Sequence, residues 1–340
     1  MKRARGVALI SALLIVALAT VLAAAVGMRA SLRLRDAGNA QALSQAVSTA
    51  RAAIDFGRWA LRQDQIQDAR ASAPIDSLGE NWAQSLPAFP VEGGSVSGGV
   101  QDAQGLINLN NLGLGHGALD LQLMQTLLAR SNIDPALAGA LADWVDADDQ
   151  TSIGGAEDVA YLGMTPARRA ANQPLSDVDE LLRVRGFTPA MVARLRPFVT
   201  ALPEHTPVNI NTAPAAVIAA LFQVGDSDAQ ALLTVRATAP IIDAADLQKR
   251  APVAIRQRLS ATQPGGGAVL ASGTGAAAAT PTVPQFGSDW SVNSRYFQID
   301  ARATYGKVQY GLGALVRRDV NPVGASPVYP IILRERRTLF

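Results

Sequence analysis

Residues 7–28 carry no charge, and this run constrains the fold more than any other stretch of the chain. It is 22 residues long. Coiled as an α-helix it spans about 33 Å, enough to cross a hydrocarbon layer about 30 Å thick. Lys2, Arg3, Arg5 and Gly6 precede it, and Arg29, Arg33 and Arg35 follow. The helical pattern continues beyond the apolar run. Leu43, Val47, Ala50, Ile54 and Leu61 recur at intervals of three, four and seven, among Arg51, Asp55, Arg58 and Arg62. That is the pattern of an amphipathic helix. No proline occurs before Pro74. We expect one continuous helix from Val7 to about Gln63, roughly 85 Å long. Its first half (7–28) would cross a membrane and its second (29–63) would pack on a globular body. The first 28 residues alone fit three readings: a secretory peptide cleaved near the small residues 23–27, a plain single-pass anchor, or a short leader (1–6) joined to an assembly helix.

A chain of 340 residues allows two or three domains. The formal net charge is +2, and without Lys2, Arg3 and Arg5 it is −1. Such a balance gives no electrostatic footprint for nucleic acid. There is no cysteine, which excludes disulfides, thiol nucleophiles and cysteine-ligated zinc. The two histidines, His116 and His205, belong to no catalytic pattern, and His116 in "GLGHG" reads as a turn. Walker A, HExxH and GxSxG motifs do not occur. We therefore expect a structural protein and not an enzyme.

Residues 64–90, with Pro74, Pro87 and Pro90, read as loop with a short helix. Glycine-punctuated alternation over 91–112 fits short strands. Phe297, Ile299, Ala301 and Ala303 alternate with polar neighbours, as do Val308, Tyr310 and Leu312. Tyr305 and Gly306 lie between the two runs, so a hairpin is expected. Between these strand regions lie about 150 residues of helical character. This divides the chain into a first α/β part (64–112), an inserted helical domain (113–264), a low-complexity linker (265–285) and C-terminal strands (286–340).

The most distinctive stretch is acidic. Residues 131–160 hold Asp134, Asp143, Asp146, Asp148, Asp149, Glu157 and Asp158 without a single Lys or Arg. Such charge repels itself unless it is solvated or binds a cation. Asp146, Asp148 and Gln150 alternate along an irregular segment, and Glu157 and Asp158 follow Gly154 and Gly155. Oxygen ligands without His or Cys suit Ca²⁺ better than zinc. The spacing is not that of an EF-hand. Asp143 reads as a helix-surface residue, and Ser176 or Asp177 as the cap of a helix starting at Val178. Residues 208–249 have the rhythm of helix–hairpin–helix modules, which hold DNA phosphates at helix N-termini. Residues 201–260, however, carry five acids and five bases, and the turn reads "VGDSD". Protein contact is the better reading there, and a membrane-anchored DNA receptor is the alternative.

Two sets of motifs carry a resemblance to one family. A basic leader ending in Gly6, followed by an apolar helix that becomes amphipathic, resembles type IV pilins and pseudopilins. The string Asp146/Asp148, Gly155–Asp158, Tyr161–Leu162 and Ala171–Asn172 resembles the signature of GspK-type minor pseudopilins of type II secretion. "TPARR" stands where that family has a "PPYR" segment. The resemblance implies an α+β, pilin-like fold: a long N-terminal helix on a small antiparallel sheet, with a large inserted all-α domain. It implies cleavage by prepilin peptidase after Gly6, N-methylation of Val7, and a calcium loop built from Asp146, Asp148, Glu157, Asp158 and Asn172. Ser11 stands where most pilins carry a glutamate, which implies a subunit capping the tip of a pseudopilus. The implied partners are other minor pseudopilins, the major pseudopilin filament, and secreted substrates or the outer-membrane secretin, with no nucleic acid. The implied location is the bacterial inner membrane, single-pass, with the C-terminal domain in the periplasm.

Overall fold

The structure, a computed structural model, describes residues 4–70, 74–114, 118–260, 284–319 and 328–338. Helix α1 (Ala4–Asp68) is unbroken, as the uninterrupted periodicity predicts, and runs about one turn beyond Gln63. From Leu9 to Gln41 every side chain is exposed. Higher up, Ala46, Ala50, Ile54 and Leu61 are buried. Leu43, expected on the apolar face, stays exposed.

Strands β1 (Leu86–Val91) and β2 (Gly94–Asp102) come next. The chain then enters the helical body through β3 (Ile107–Asn108), α2 (Ala118–Arg130), α3 (Leu137–Val145), α4 (Asp158–Leu162), α5 (Pro189–Leu195) and β4 (Val199–Thr200). It continues through β5 (Val208–Asn209), α6 (Ala215–Phe222), α7 (Asp226–Thr238), α8 (Ala244–Arg250), α9 (Val253–Ser260) and β6 (Trp290–Ser291). The chain closes with β7 (Tyr296–Tyr305), β8 (Val308–Arg317) and β9 (Ile331–Thr338).

One antiparallel sheet of order β1-β2-β7-β8-β9 forms the other body. Its inner face, including Phe297, Ile299, Ala301, Ala314 and Val316, packs on the upper part of α1. The expected hairpin is β7–β8. Tyr305 pairs with Val308, and Gly306 has φ +57°, which its missing Cβ permits. The loop expected over 64–90 is corrected at its end, because Leu86–Val91 is a strand. Among the described strands it pairs only with β2, and an edge strand tolerates Pro87 and Pro90. The opposite edge, β9, carries Arg334, Glu335, Arg336 and Arg337, charges that discourage edge-to-edge pairing.

The helical body is built twice on one plan. Asn108 Oδ1 accepts from the Asn110 amide, and Asn209 Oδ1 from that of Asn211. Asn110 then clamps the backbone of Leu175, accepting its N–H at 2.7 Å and donating to its carbonyl at 2.9 Å. Asn211 clamps Ile241 in the same way at 2.9 and 2.8 Å. Two residues later Asp177 caps the 3₁₀ helix Val178–Arg183, and Asp243 caps α8. The cap expected near Val178 is therefore Asp177. β3 pairs in parallel with β4, and β5 with β6. That pairing moves one expected boundary. Residues 286–292, expected with the C-terminal strands, include Trp290 and Val292 of the helical core, with Phe222 and Phe286 against the indole. Similarly Ile107 and Leu109 belong to that core and not to the sheet. Residues 265–283 of the expected linker, and His116, lie outside the described residues.

The two bodies meet at the upper end of α1. Arg318 is 6% exposed and pairs with Asp64 at 2.7 Å and with Asp76 at 2.5 and 2.6 Å. Asp76 also accepts the Ser294 amide at 2.7 Å. Asp102, at the end of β2, accepts from Asn209, Thr212 and Ser294. The far end of the hairpin touches α1 lower down, where Tyr305 and Thr49 share a hydrogen bond. The helical body therefore lies at the end of α1 remote from the apolar segment.

Asp68 adds a titration to this junction. Burial, reinforced by the charges of Asp64 and Asp76 and opposed by Arg318, pushes its carboxyl up to about 7. A raised value means that the folded chain keeps a proton that the unfolded chain releases near pH 4. Stability from this group is complete below pH 4 and is lost as pH rises through 7. Through this group we expect the melting temperature to fall between about pH 4 and 7 and to level off above that, and Asp68→Asn to flatten the fall, as followed by circular dichroism.

Candidate functional site

The acidic loop begins where α3 ends. Asp146 follows its last residue, and the chain turns back over the helix before entering α4. Two glycines allow the loop to lie flat. A Cβ on Gly139 would collide with the Ile153 carbonyl oxygen, and one on Gly155 with Asp143 Oδ2. Asp143 is fully buried, contrary to the surface position expected for it. It faces the returning loop and accepts the Ser152 amide at 3.1 and 3.2 Å. Trp144 and Tyr161 meet edge to face, centroids 5.0 Å apart, beneath the same segment. Gly155→Ala should therefore cost about 1–3 kcal/mol through overpacking, read as a lower denaturation midpoint with an unchanged slope.

Asp146, Asp148 and Glu157 each offer one oxygen within 4.8 Å of the others. Glu157 is 6% exposed, and neither of its oxygens has a hydrogen-bond partner. Asp146 Oδ1 also lacks one. Asn172, held at φ +44°, donates to the Asp148 carbonyl and to Asp149 Oδ1 at 3.0 Å each, while its own Oδ1 is unpartnered. Asp158 is not brought into this group. Its Oδ1 accepts the Ala170 amide at 2.9 Å, and Oδ2 lies 3.6 Å from Arg169. It ties the next loop down at the start of α4.

The electrostatics point the same way. Burial first, then the charges of Asp143, Asp146, Asp149 and Asp148, push Glu157 up to about 7. Burial, then Asp148 and Asp143, push Asp146 up to about 6. Buried carboxyl oxygens without donors are costly, and a divalent cation relieves both the repulsion and the missing contacts. Convergent carboxylates with an amide oxygen form the donor set of a hard cation such as Ca²⁺. Asp146, Asp148 and Glu157 thus fit such an ion, with the unpartnered oxygen of Asn172 on the same loop and Asp143 as the support that sequence reasoning missed.

The helix–hairpin–helix-like region forms α6, a left-handed Gln223 and α7. The first turn of α7 carries Asp226 and Asp228, and Asp226 pairs with Arg130. Carboxylates occupy the place where a phosphate would approach, which disfavours DNA there.

Family models described as type II secretion system (T2SS), protein K match residues 105–204 and 208–264. Those bounds coincide with the two halves built around Asn110 and Asn211. Protein K of Pseudomonas aeruginosa is 37% identical over 241 residues, 68% of this chain and 72% of that one. Protein K of Aeromonas hydrophila is 36% identical over 257 residues, 69% and 76% of the two chains. The chain belongs to the type II secretion protein K family. The resemblance to GspK-type minor pseudopilins is thereby confirmed, and the chain is a minor pseudopilin, a structural component of type II secretion. The crystal structure of the GspK-GspI-GspJ complex from enterotoxigenic Escherichia coli contains a chain of the same fold. The TM-score is 0.64 at 22% identity, covering 88% of this chain and 98% of that one. The pilin-like α+β fold with its helical insertion is thus shared. Among the described residues α1 is the one helix long and apolar enough to cross a membrane, and it fits a single-pass inner-membrane anchor.

Proposed function

We propose that this protein K caps the tip of the pseudopilus and helps to initiate it. The observation that carries this reading is the position of the helical body, across the end of the sheet body remote from the membrane-spanning segment. A subunit built this way has no room for another stacked above it. Ser11, where most pilins have glutamate, supports the same reading, since nothing beyond the tip would need that carboxylate, and an unpaired one is costly in a membrane. In this reading the partners are other minor pseudopilins, as in the E. coli complex, and below them the major pseudopilin filament. Secreted substrates or the outer-membrane secretin would meet the helical body from the periplasmic side. Asp146, Asp148, Glu157 and Asn172 hold calcium and order the acidic loop.

An epitope on the helical body tests the position. Electron microscopy of pseudopili sheared from cells should find the label at one end of each filament. Label distributed along the shaft would overturn capping. Processing is tested separately by mass spectrometry of the membrane fraction. N-methylated Val7 is the expected N-terminus, while a retained Met1 or cleavage within 23–28 would refute the prepilin reading of Gly6 and Val7.

A further inference from the structure

The two bodies have separate apolar cores. α1 and the sheet share one, around Ile54, Leu61, Trp82 and Phe297, and the helical body has its own. Where they meet, the buried apolar cluster is small: Ala103, Leu202, Tyr296 and Leu315. Polar groups make much of the remaining joint. Asp76 lies in the segment after α1, yet the helical body holds its backbone. Its amide donates to the Val292 carbonyl at 2.8 Å, and its carbonyl accepts from Asn209 at 3.0 Å. Arg318, just after β8, then links the Asp76 carboxylate to Asp64 of α1. Two bodies joined by a small polar contact move against each other unless that contact holds them.

The charges in this joint do not balance. Asp64 and Asp68 come from α1, Asp76 and Glu80 from the segment after it, and Asp102 from the end of β2. The helical body adds Asn209, Thr212 and Ser294, none of them charged. Among the described residues Arg318 is the one cation paired with any of the five carboxyls. Asp64, Asp76 and Glu80 each bring one oxygen within 4.8 Å of the others. Glu80 also accepts from Ser77 and from Trp82 Nε1, which fixes it in place. Five carboxylates cannot all stay ionised around one guanidinium in a poorly solvated joint. We propose that the helical body is held on the sheet body by a proton-dependent joint, closed while Asp68, Glu80 and Asp102 keep protons and loosened when those protons pass to solvent. The individual groups agree with the geometry. Burial, opposed by the Trp82 bond and reinforced by Asp64 and Asp76, pushes Glu80 up to about 8. Asp68 stands at about 7, and burial lifts Asp102 to about 6 against the bonds from Ser294 and Thr212. In an opened joint these carboxyls return to water and lose their protons near pH 4. Each raised group therefore supports closure fully below about pH 4 and gives up its share as pH rises through its value in the closed form. Closure is weakest above about pH 8, once Glu80 has ionised. The inference goes beyond the capping role and does not depend on it.

The chain has no cysteine, so a labelled pair can be introduced cleanly. Ser227 on α7 and Gln309 on β8 are exposed and lie on different bodies. Spin labels on Ser227→Cys and Gln309→Cys, in the full chain in detergent, report the distance between the bodies by double electron–electron resonance. One narrow distance is expected at about pH 5. At about pH 9 a second, broader population should have grown about tenfold or more, with the circular dichroism spectrum unchanged. Asp68→Asn with Glu80→Gln, whose amides stand in for the protonated carboxyls, should keep the narrow distance at the higher pH. The same distances at both pH values in the parent chain would overturn the joint, and that comparison stands whether or not the double variant folds. A pH response that survives in the double variant would place its origin elsewhere, as in Glu157 of the helical body, and would overturn the assignment equally.

Discussion

Replacing Arg318 by methionine is expected to destabilise the folded chain by about 3–5 kcal/mol. Among the described residues the Arg318 guanidinium is the one cation paired with both Asp64 and Asp76, and Asp76 is fully buried. Burial raises both carboxyls and Arg318 opposes it. Without Arg318 two like charges remain in a poorly solvated junction. Arg318 also donates to the Ser294 carbonyl at 3.0 Å and lies over the Phe297 ring at 4.8 Å, so methionine keeps some of the packing and none of the pairing. A triple variant, Arg318→Met with Asp64→Asn and Asp76→Asn, should recover most of the loss, because buried amides cost less than buried unpaired charges. Chemical denaturation of the three proteins measures this. Equal midpoints for the single variant and the parent would show that the pair contributes nothing.

Calcium should have the second large effect. At a free concentration a hundred times the dissociation constant, a ligand held only by the folded state contributes about 2.7 kcal/mol. For a body of this size that raises the melting temperature by about 5–10 °C. We expect that rise when calcium is returned to chelator-treated protein. Magnesium should give less, because it demands tighter octahedral geometry than a loop with carboxylate and amide oxygens provides. Asp146→Ala with Asp148→Ala should abolish the rise and impair secretion while leaving the amount of protein in the membrane unchanged. Identical melting with and without calcium would remove the site.

The long helix is legible in the sequence because its signal is repeated over many turns, and the β7–β8 hairpin because both strands alternate cleanly around Gly306. The acidic loop is legible by charge alone. Composition indicates a cation, but only the fold separates Asp146, Asp148 and Glu157 from Asp158, whose carboxylate is used by the Ala170 amide. Asp143 is misjudged because periodicity cannot foresee a loop folding back over the exposed side of its own helix. The strand Leu86–Val91 is missed because Pro87 and Pro90 argue against a strand anywhere but at an edge, and edge position is a tertiary fact. The ion pairs of Arg318 join positions 254 and 242 residues apart, beyond any local pattern. One signal is present and goes unused. "NLN" at 108–110 and "NIN" at 209–211 mark the two halves of the helical body.

The pairing of β2 with β7 has a consequence for the order in which the molecule forms. Asp102 and Phe297 are register partners, yet nearly the whole helical body is synthesised between them. Closing so long a loop as unstructured chain would cost about 3–4 kcal/mol more than closing a tight hairpin. The insert itself removes that penalty. Gln104 Oε1 accepts the amides of Arg295 and Tyr296, and Asp102 holds Ser294, so a folded insert delivers both strand ends side by side. Loop closure therefore favours an order in which the insert folds before the last strands close over the upper half of α1. Until that moment the upper half of α1 has only β1 and β2 beside it, and the side it presents to β7 and β8 stays open to water.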